Sequence, residues 1–257
     1  GGDDMKIFDL VTRSSYNNDI VFQIIDIKDK NYILKGINYR LIADSYENDL
    51  LPFNDTINLP LPYLKIIDHS TSGKVLHIDG DEIYVKKAQE AYNKYHINAK
   101  CIYMKEELMP NNVVNILKQD KYDILVITGH DFYKFDKKQV SDDLTRYQNS
   151  INFVSAVQQV RLLYPDLDSL VIVAGACQSN YEALMEYGAN FASSPNRENI
   201  HLLDPIIIAS IVALTPIKDY INPKAAIDKT ISKSIGGIET KGKARIFYSG
   251  VQNEHLS

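Results

Sequence analysis

The sequence predicts an α/β protein: a doubly wound, mostly parallel sheet preceded by a small antiparallel β-barrel. Three observations carry this. From position 74 onward, short Val- and Ile-rich runs alternate with amphipathic stretches of helix length, the pattern of strands covered on both faces. Two of those runs, YDILVITGH (122–130) and SLVIVAGACQ (169–178), are almost wholly apolar and stop at a glycine followed by a reactive side chain. Before position 46 the grammar differs. Runs over 7–12, 21–27 and 32–42, rich in Ile, Val and Tyr, are separated by polar SSYNND and KDKN, as antiparallel strands are by turns.

Taken in order, GGDD (1–4) reads as an expression remnant ahead of a natural start at Met5, and 5–45 as the barrel. Residues 46–73, with Pro52, Pro60 and Pro62 among many Asn and Asp, read as a linker whose Leu61, Tyr63 and Leu64 lie on the next domain. The α/β domain spans 74–250. KVLHID is its first strand, and Gly80–Asp81 opens a helix to about position 95. A strand over 99–104 and a helix over 110–119 precede the YDILVITGH strand. A polar loop over 131–150 leads to an amphipathic helix over 151–164 with Phe153, Val154, Val157, Val160 and Leu163 on one side. After the SLVIVAGACQ strand come a helix opening at Gln178–Ser179, a strand over 189–192 and a helix over 204–213. A weak helix over 223–234, a glycine-rich stretch with Gly236, Gly237 and Gly242, and a strand over 244–248 close the domain. Residues 251–257 read as a fraying tail.

Composition narrows the function. Lys and Arg number 28 against 33 Asp and Glu, a net charge of −5, which gives no footprint for nucleic acid. No apolar run reaches the length of a membrane span, and no charged-then-apolar leader stands at the start. Two cysteines in unrelated contexts make no disulfide framework.

The chemistry gathers at two strand ends. Parallel strands deliver the residues that follow them to one edge of the sheet, where open α/β sheets keep their sites. His130 and Cys177 therefore emerge together as a base and a nucleophile. The plain readings stand beside this. A lone cysteine is more often a small buried hydrophobe, which suits Cys101 inside AKCIYM, and a lone histidine is more often structural. Cys177 differs because it lies past its strand, where a helix N-terminus would expose the thiol and lower its pKa.

A strand ending in His followed later by a strand ending in Ala-Cys resembles the caspase–legumain–gingipain clan of cysteine peptidases. The resemblance implies a caspase-like version of the flavodoxin-like sheet, a Cys177 nucleophile and a His130 general acid/base. The clan places Gly after its His as an oxyanion donor, whereas Asp131 follows His130 and Gly129 precedes it. The backbone N–H groups of Cys177 and Gly129 are therefore the candidate donors. Over nearly the whole chain, FDLVTRSSYNNDIVFQIIDI, LKGINYRLIADS, VLHIDGDE, DILVITGHD, VIVAGACQSNYEAL, GANFASSPNR and GGIETKGK resemble the YabG family of sporulation-specific peptidases. That resemblance implies cleavage after arginine in spore coat and cortex-associated proteins, in the mother cell and forming spore of an endospore-forming bacterium.

An arginine pocket asks for a fixed carboxylate. Asp79 and Asp81, with Glu82 beside them, lie in the turn after the domain's first strand, and Asp204 follows the fifth. The order of expectation is Asp79, Asp81, Asp204. Acids at 81 and 82 also have an ordinary role in the first turn of a helix. No cofactor is expected. No metal is expected either, since His77, Asp79, Asp81 and Glu82 sit on a strand and turn that would splay them and no zinc spacing occurs. Two other readings stay open. An elbow-type thiol hydrolase or amidotransferase-like enzyme would use Cys177 with a later histidine, His201 or His255. A receiver-like scaffold would use Asp79 and Asp81 with an acid at position 130, where His stands. The long loop after His130 contains Arg146, a site for self-cleavage by an arginine-specific enzyme, and the barrel would recognise a substrate, anchor the enzyme or cap the sheet.

Overall fold

The computed structural model describes residues 5–65, 72–134 and 143–244. The readings for 1–4, for the strand beyond Ala244, for the tail and for His255 lie outside these residues. The N-terminal strands are β1 (Leu10–Arg13), β2 (Phe22–Lys28), β3 (Asn31–Gly36), β4 (Ile42–Tyr46) and β5 (Leu50–Pro52). They pair antiparallel in the order β4-β3-β2-β1-β5. Alternation along β3 turns Tyr32 and Leu34 inward, and they pack with Val11, Phe22, Ile24 and Leu50 into a small core of their own. Two features differ from the sequence reading. The sheet continues past position 45, because β5 pairs with β1; Pro52 is tolerated there because β5 is an edge strand. With β4 and β5 as opposite edges, the pairing is that of an open sheet.

The second unit alternates β6 (Val75–Asp79), α1 (Glu82–Lys94), β7 (Ala99–Tyr103), α2 (Met109–Leu117), β8 (Ile124–Thr128), α3 (Ser150–Leu163), β9 (Val171–Ala174), α4 (Tyr181–Glu186), β10 (Phe191–Ala192) and α5 (Asp204–Leu214). It closes with β11 (Tyr220–Ile221), α6 (Pro223–Ile227), β12 (Gly236–Gly237) and β13 (Thr240–Lys241). The sheet order is β7-β6-β8-β9-β10-β12. All pairs are parallel except β10 with β12. Successive strand residues serve opposite faces. Val75, Ile124, Val126, Val171 and Val173 meet α1 and α5; Leu76, Ile78, Leu125, Ile127 and Ile172 meet α2, α3 and α4. Helix α5 is apolar all round and buried almost throughout, as a helix wedged into a core must be. The glycine-rich stretch supplies an edge strand, β12. A Cβ at Gly237 would strike the Phe191 ring, so the close pairing with β10 requires glycine there.

The chain turns from β7 on one side of β6 to β8 on the other. That reversal makes the carboxyl ends of β6 and β8 the switch point of the sheet, the place where open α/β sheets take ligands. Among the described residues no helix is long and apolar enough to cross a membrane.

Candidate active site

Strands β8 and β9 pair in parallel register, Ile127 opposite Ala174, and Gly175 N–H donates to the Ile127 carbonyl at 2.9 Å. His130 and Cys177 thus leave neighbouring strands at the same edge. Gly175 holds φ +96°, and a Cβ there would press on Leu184 and Ser193; glycine is what lets the chain turn there. The turn continues through Gln178 at φ 63°. Asn180 then caps α4 by accepting from Ala183 N–H at 2.9 Å.

The helix therefore begins at Tyr181, not at Gln178–Ser179, and the expectation for the thiol fails with it. Cys177 is 2% exposed. Its sulfur lies against Ile200, accepting from that N–H at 3.3 Å and donating to the carbonyl at 3.6 Å. Burial pushes the thiol pKa up, with N–H groups of Ile200 and Arg40 and the Arg40 charge acting against it. In this conformation the sulfur is a protonated thiol at neutral pH.

The imidazole is held in its neutral form as well. His130 is 26% exposed, with Nε2 3.6 Å from Asp81 and Nδ1 3.9 Å from Glu106. Its ring stacks on Tyr84 with centroids 5.9 Å apart. Burial, then the Arg40 charge, lowers its pKa to about 4, against the pull of Asp81 and Asp79. Nε2 has no hydrogen-bond partner, and His130 and Cys177 make no hydrogen bond with each other. What joins their loops is Asp131. Its carboxylate accepts from Ser150 Oγ (2.6 Å), Ser179 Oγ (2.8 Å), Asn149 N–H (2.7 Å) and Phe132 N–H (3.0 Å). Ser179 Oγ in turn accepts from Ala176 N–H.

Asp79 is already engaged by an arginine, one from the N-terminal unit. The Arg40 guanidinium grips it with two hydrogen bonds, 2.9 Å to Oδ1 and 2.5 Å to Oδ2, and donates to the Gly129 carbonyl at 3.3 Å. It lies 4.5 Å above the Tyr84 ring. Both partners of the pair are almost fully buried. Burial alone would raise the Asp79 pKa; Arg40 beside it holds the carboxyl well below the usual range. His77 stands behind, Nε2 3.6 Å from Asp79, on the same face of β6 rather than splayed from it. Asp81 pairs with Lys35 and caps α1 through Ile83 and Tyr84 N–H. Asp204 accepts from His201, Ile231 and Ser232, so its oxygens are taken by the turns they hold. His201 Nδ1 accepts from Leu203 N–H at 3.1 Å. Gly129 offers its carbonyl to Arg40, which leaves the expectation for its N–H untouched.

Four residues of the site escape a reading of the sequence. Arg40 sits in NYRL, indistinguishable from a surface arginine. Tyr84 looks like any core residue of α1. Asp131 was visible only as the acid displacing the expected glycine. Glu106 lies in KEEL, where acids normally begin a helix, yet it accepts from His130 N–H at 2.8 Å. The available signal was Gly80 and Gly129 at two strand ends. A Cβ at either would collide with the Glu106 carboxylate.

The family model described as YabG peptidase U57 matches residues 6–58 and 65–249. The sporulation-specific protease YabG of Bacillus subtilis (strain 168) is 39% identical over 94% of this chain and 97% of its own. No solved structure matches.

Proposed function

The chain belongs to the YabG peptidase family, and we propose that it is a cysteine endopeptidase in which Cys177 is the nucleophile and His130 the general acid/base. The supporting observation is the delivery of both side chains by adjacent parallel strands to one sheet edge, beside a carboxylate that binds a guanidinium in bidentate form. The sulfur gives its proton to His130 and attacks the carbonyl carbon. The C–N bond breaks as His130 passes that proton to the leaving amine, leaving a thioester to Cys177. His130 then takes a proton from water, whose oxygen attacks the thioester and restores the thiol. The backbone N–H of Cys177 is the proposed oxyanion donor, with Gly129 N–H as the second. Catalytic contacts absent in a resting enzyme commonly form only around bound substrate.

Specificity for arginine, with Asp79 as the pocket acid, is supported by the way Asp79 holds Arg40. Spore coat and cortex-associated proteins are the proposed substrates and the mother cell and forming spore the proposed location, on the strength of the sporulation relative. The engagement of His201 Nδ1 by Leu203 favours His130 over the elbow-type alternative. The test is turnover of an arginine peptide by Cys177→Ala, His130→Ala and His201→Ala. The first two should lose about 10⁴-fold or more, the third far less. Full activity in folded Cys177→Ala would end the proposal.

A further inference from the structure

The segment preceding β4 lies across the site in the posture of a bound peptide. Tyr39 forms an antiparallel bridge with His201, and Leu202 N–H donates to the Asn38 carbonyl at 2.8 Å. The residue before His201 is Ile200, whose N–H and carbonyl bracket the Cys177 sulfur. Addition of an extended segment to an exposed backbone edge is a standard mode of peptide recognition. The side chains follow the same logic. The Tyr39 ring meets His201 edge-on at 5.1 Å, and Arg40 descends into the Asp79 site. The Arg40 charge and backbone N–H both favour the Cys177 thiolate, against the effect of burial. After Arg40 the chain departs. Leu41 N–H donates back to the Tyr39 carbonyl at 2.8 Å, a three-residue turn that keeps the chain from running on past the sulfur. Tyr84 Oη, donating to the carbonyls of Gly36 and Tyr39, and Lys87 Nζ, donating to that of Ile37, pin the segment down.

We propose that Asn38–Arg40 fills the substrate cleft as a substrate would, so that the cleft recognises an extended peptide with arginine next to the scissile bond and an aromatic residue before it, and is latent until this segment withdraws. The proposal rests on the peptidase reading for the word substrate, but its geometry does not. The main-chain ledge is His201–Leu202, the aromatic contact is His201, and the cationic pocket is Asp79 with Tyr84 and the Gly129 carbonyl. A site filled by its own chain binds outside peptide with an affinity reduced by the fraction of time it is open.

Two readouts that need no proteolysis test this on the full chain. One is the rate at which iodoacetamide alkylates Cys177, read by mass spectrometry of the Cys177 peptide. The other is binding of fluorescent acetyl-Asn-Tyr-Arg-amide. Tyr39→Ala and Arg40→Ala should each raise both by about tenfold or more, the inverse of a small open fraction. The peptide should then protect Cys177 from alkylation. Removing the Arg40 charge by itself works in the other direction, because a nearby cation favours thiolate; slower alkylation in Arg40→Ala, with no gain in peptide binding, would make the segment a strut between the two units and overturn the proposal. Tyr39→Ala strands no buried charge, so it decides the matter if Arg40→Ala fails to fold. Loss of the peptidase reading would show separately, as turnover surviving in Cys177→Ala.

Discussion

Asp131 Oδ2 and Ser179 Oγ are joined by a 2.8 Å hydrogen bond that ties the loop bearing His130 to the turn bearing Cys177. Asp131 is thus a brace between the two loops. Asp131→Ala would strand the Ser150 and Ser179 hydroxyls and the Asn149 N–H. A buried orphan costs ~1–3 kcal/mol, so the loss in unfolding free energy should be about 3 kcal/mol or more, read from urea titration. Turnover should fall with it, because the two loops lose their common anchor. A loss under about 1 kcal/mol, within the reach of an ordinary surface change, would refute the brace.

Glu106 supports the other side of His130. Its Oε1 accepts the His130 N–H, and burial raises its pKa. Glu106→Ala removes that acceptor and opens space beside Gly80 and Gly129, at a cost of ~1–3 kcal/mol. Glu106→Gln keeps an acceptor and should recover most of the stability. A structural prop would be restored fully by Gln. A group that also steadies charge on the imidazole would leave Glu106→Gln stable but with an altered pH–rate profile. Equal behaviour of the Ala variant and the native protein in both measurements would remove Glu106 from the site.

Three histidines contribute to the loss of stability in acid. Burial lowers the pKa of His77, of His130 to about 4 and of His201 to about 4, all from 6.5. In each case the unfolded chain binds the proton more tightly. Their contribution is fully present above pH 6.5 and is lost as pH falls toward 4. Asp131, Asp204 and Glu106, raised by burial, oppose this, since the folded state binds their protons more tightly and gains as pH falls. The histidine part is isolated by difference. His130→Gln should show a shallower decline in denaturation midpoint between pH 6.5 and 4 than the native protein. Parallel curves would mean that His130 titrates normally.

The sheet was legible because burial on both faces leaves a signature, runs such as ILVIT and VIVA that no surface element shares. The same signature placed His130 and Cys177 at strand ends. Their ionisation was not legible. A cysteine past a strand end suggested an exposed thiol, but the residue that covers it, Ile200, arrives from a loop after β10, and Arg40 arrives from another sheet altogether. Nothing local to AGACQS encodes either contact. The antiparallel unit shows the converse limit. Its alternation marked the first strands, but β5 is LLP, too short to carry a period, and only pairing with β1 makes it a strand.

The three carboxylates proposed for the arginine pocket make different predictions, because their partners differ. Asp204→Asn replaces an acceptor with a donor facing the N–H groups and hydroxyl of His201, Ile231 and Ser232; it should cost ~1–3 kcal/mol of stability and leave specificity alone. Asp81→Asn keeps a good helix cap but gives up the Lys35 pair and the nearest carboxylate to His130 Nε2, so rate should change and the preference for arginine should not. Asp79→Asn is the one that should abolish the preference. In the native chain it would also strand the buried Arg40 guanidinium, at ~3–5 kcal/mol, which would confuse instability with specificity. The comparison belongs in an Arg40→Ala background, where the pocket is empty, with the stability of each variant measured alongside because the intact Asp79 there loses its buried cation. There, cleavage of matched peptides ending in Arg and Gln should differ by about two to four decades when Asp79 is intact, the rate equivalent of that energy, and by little when it is Asn. A strong arginine preference persisting in a folded Arg40→Ala/Asp79→Asn protein would move the pocket to another acid.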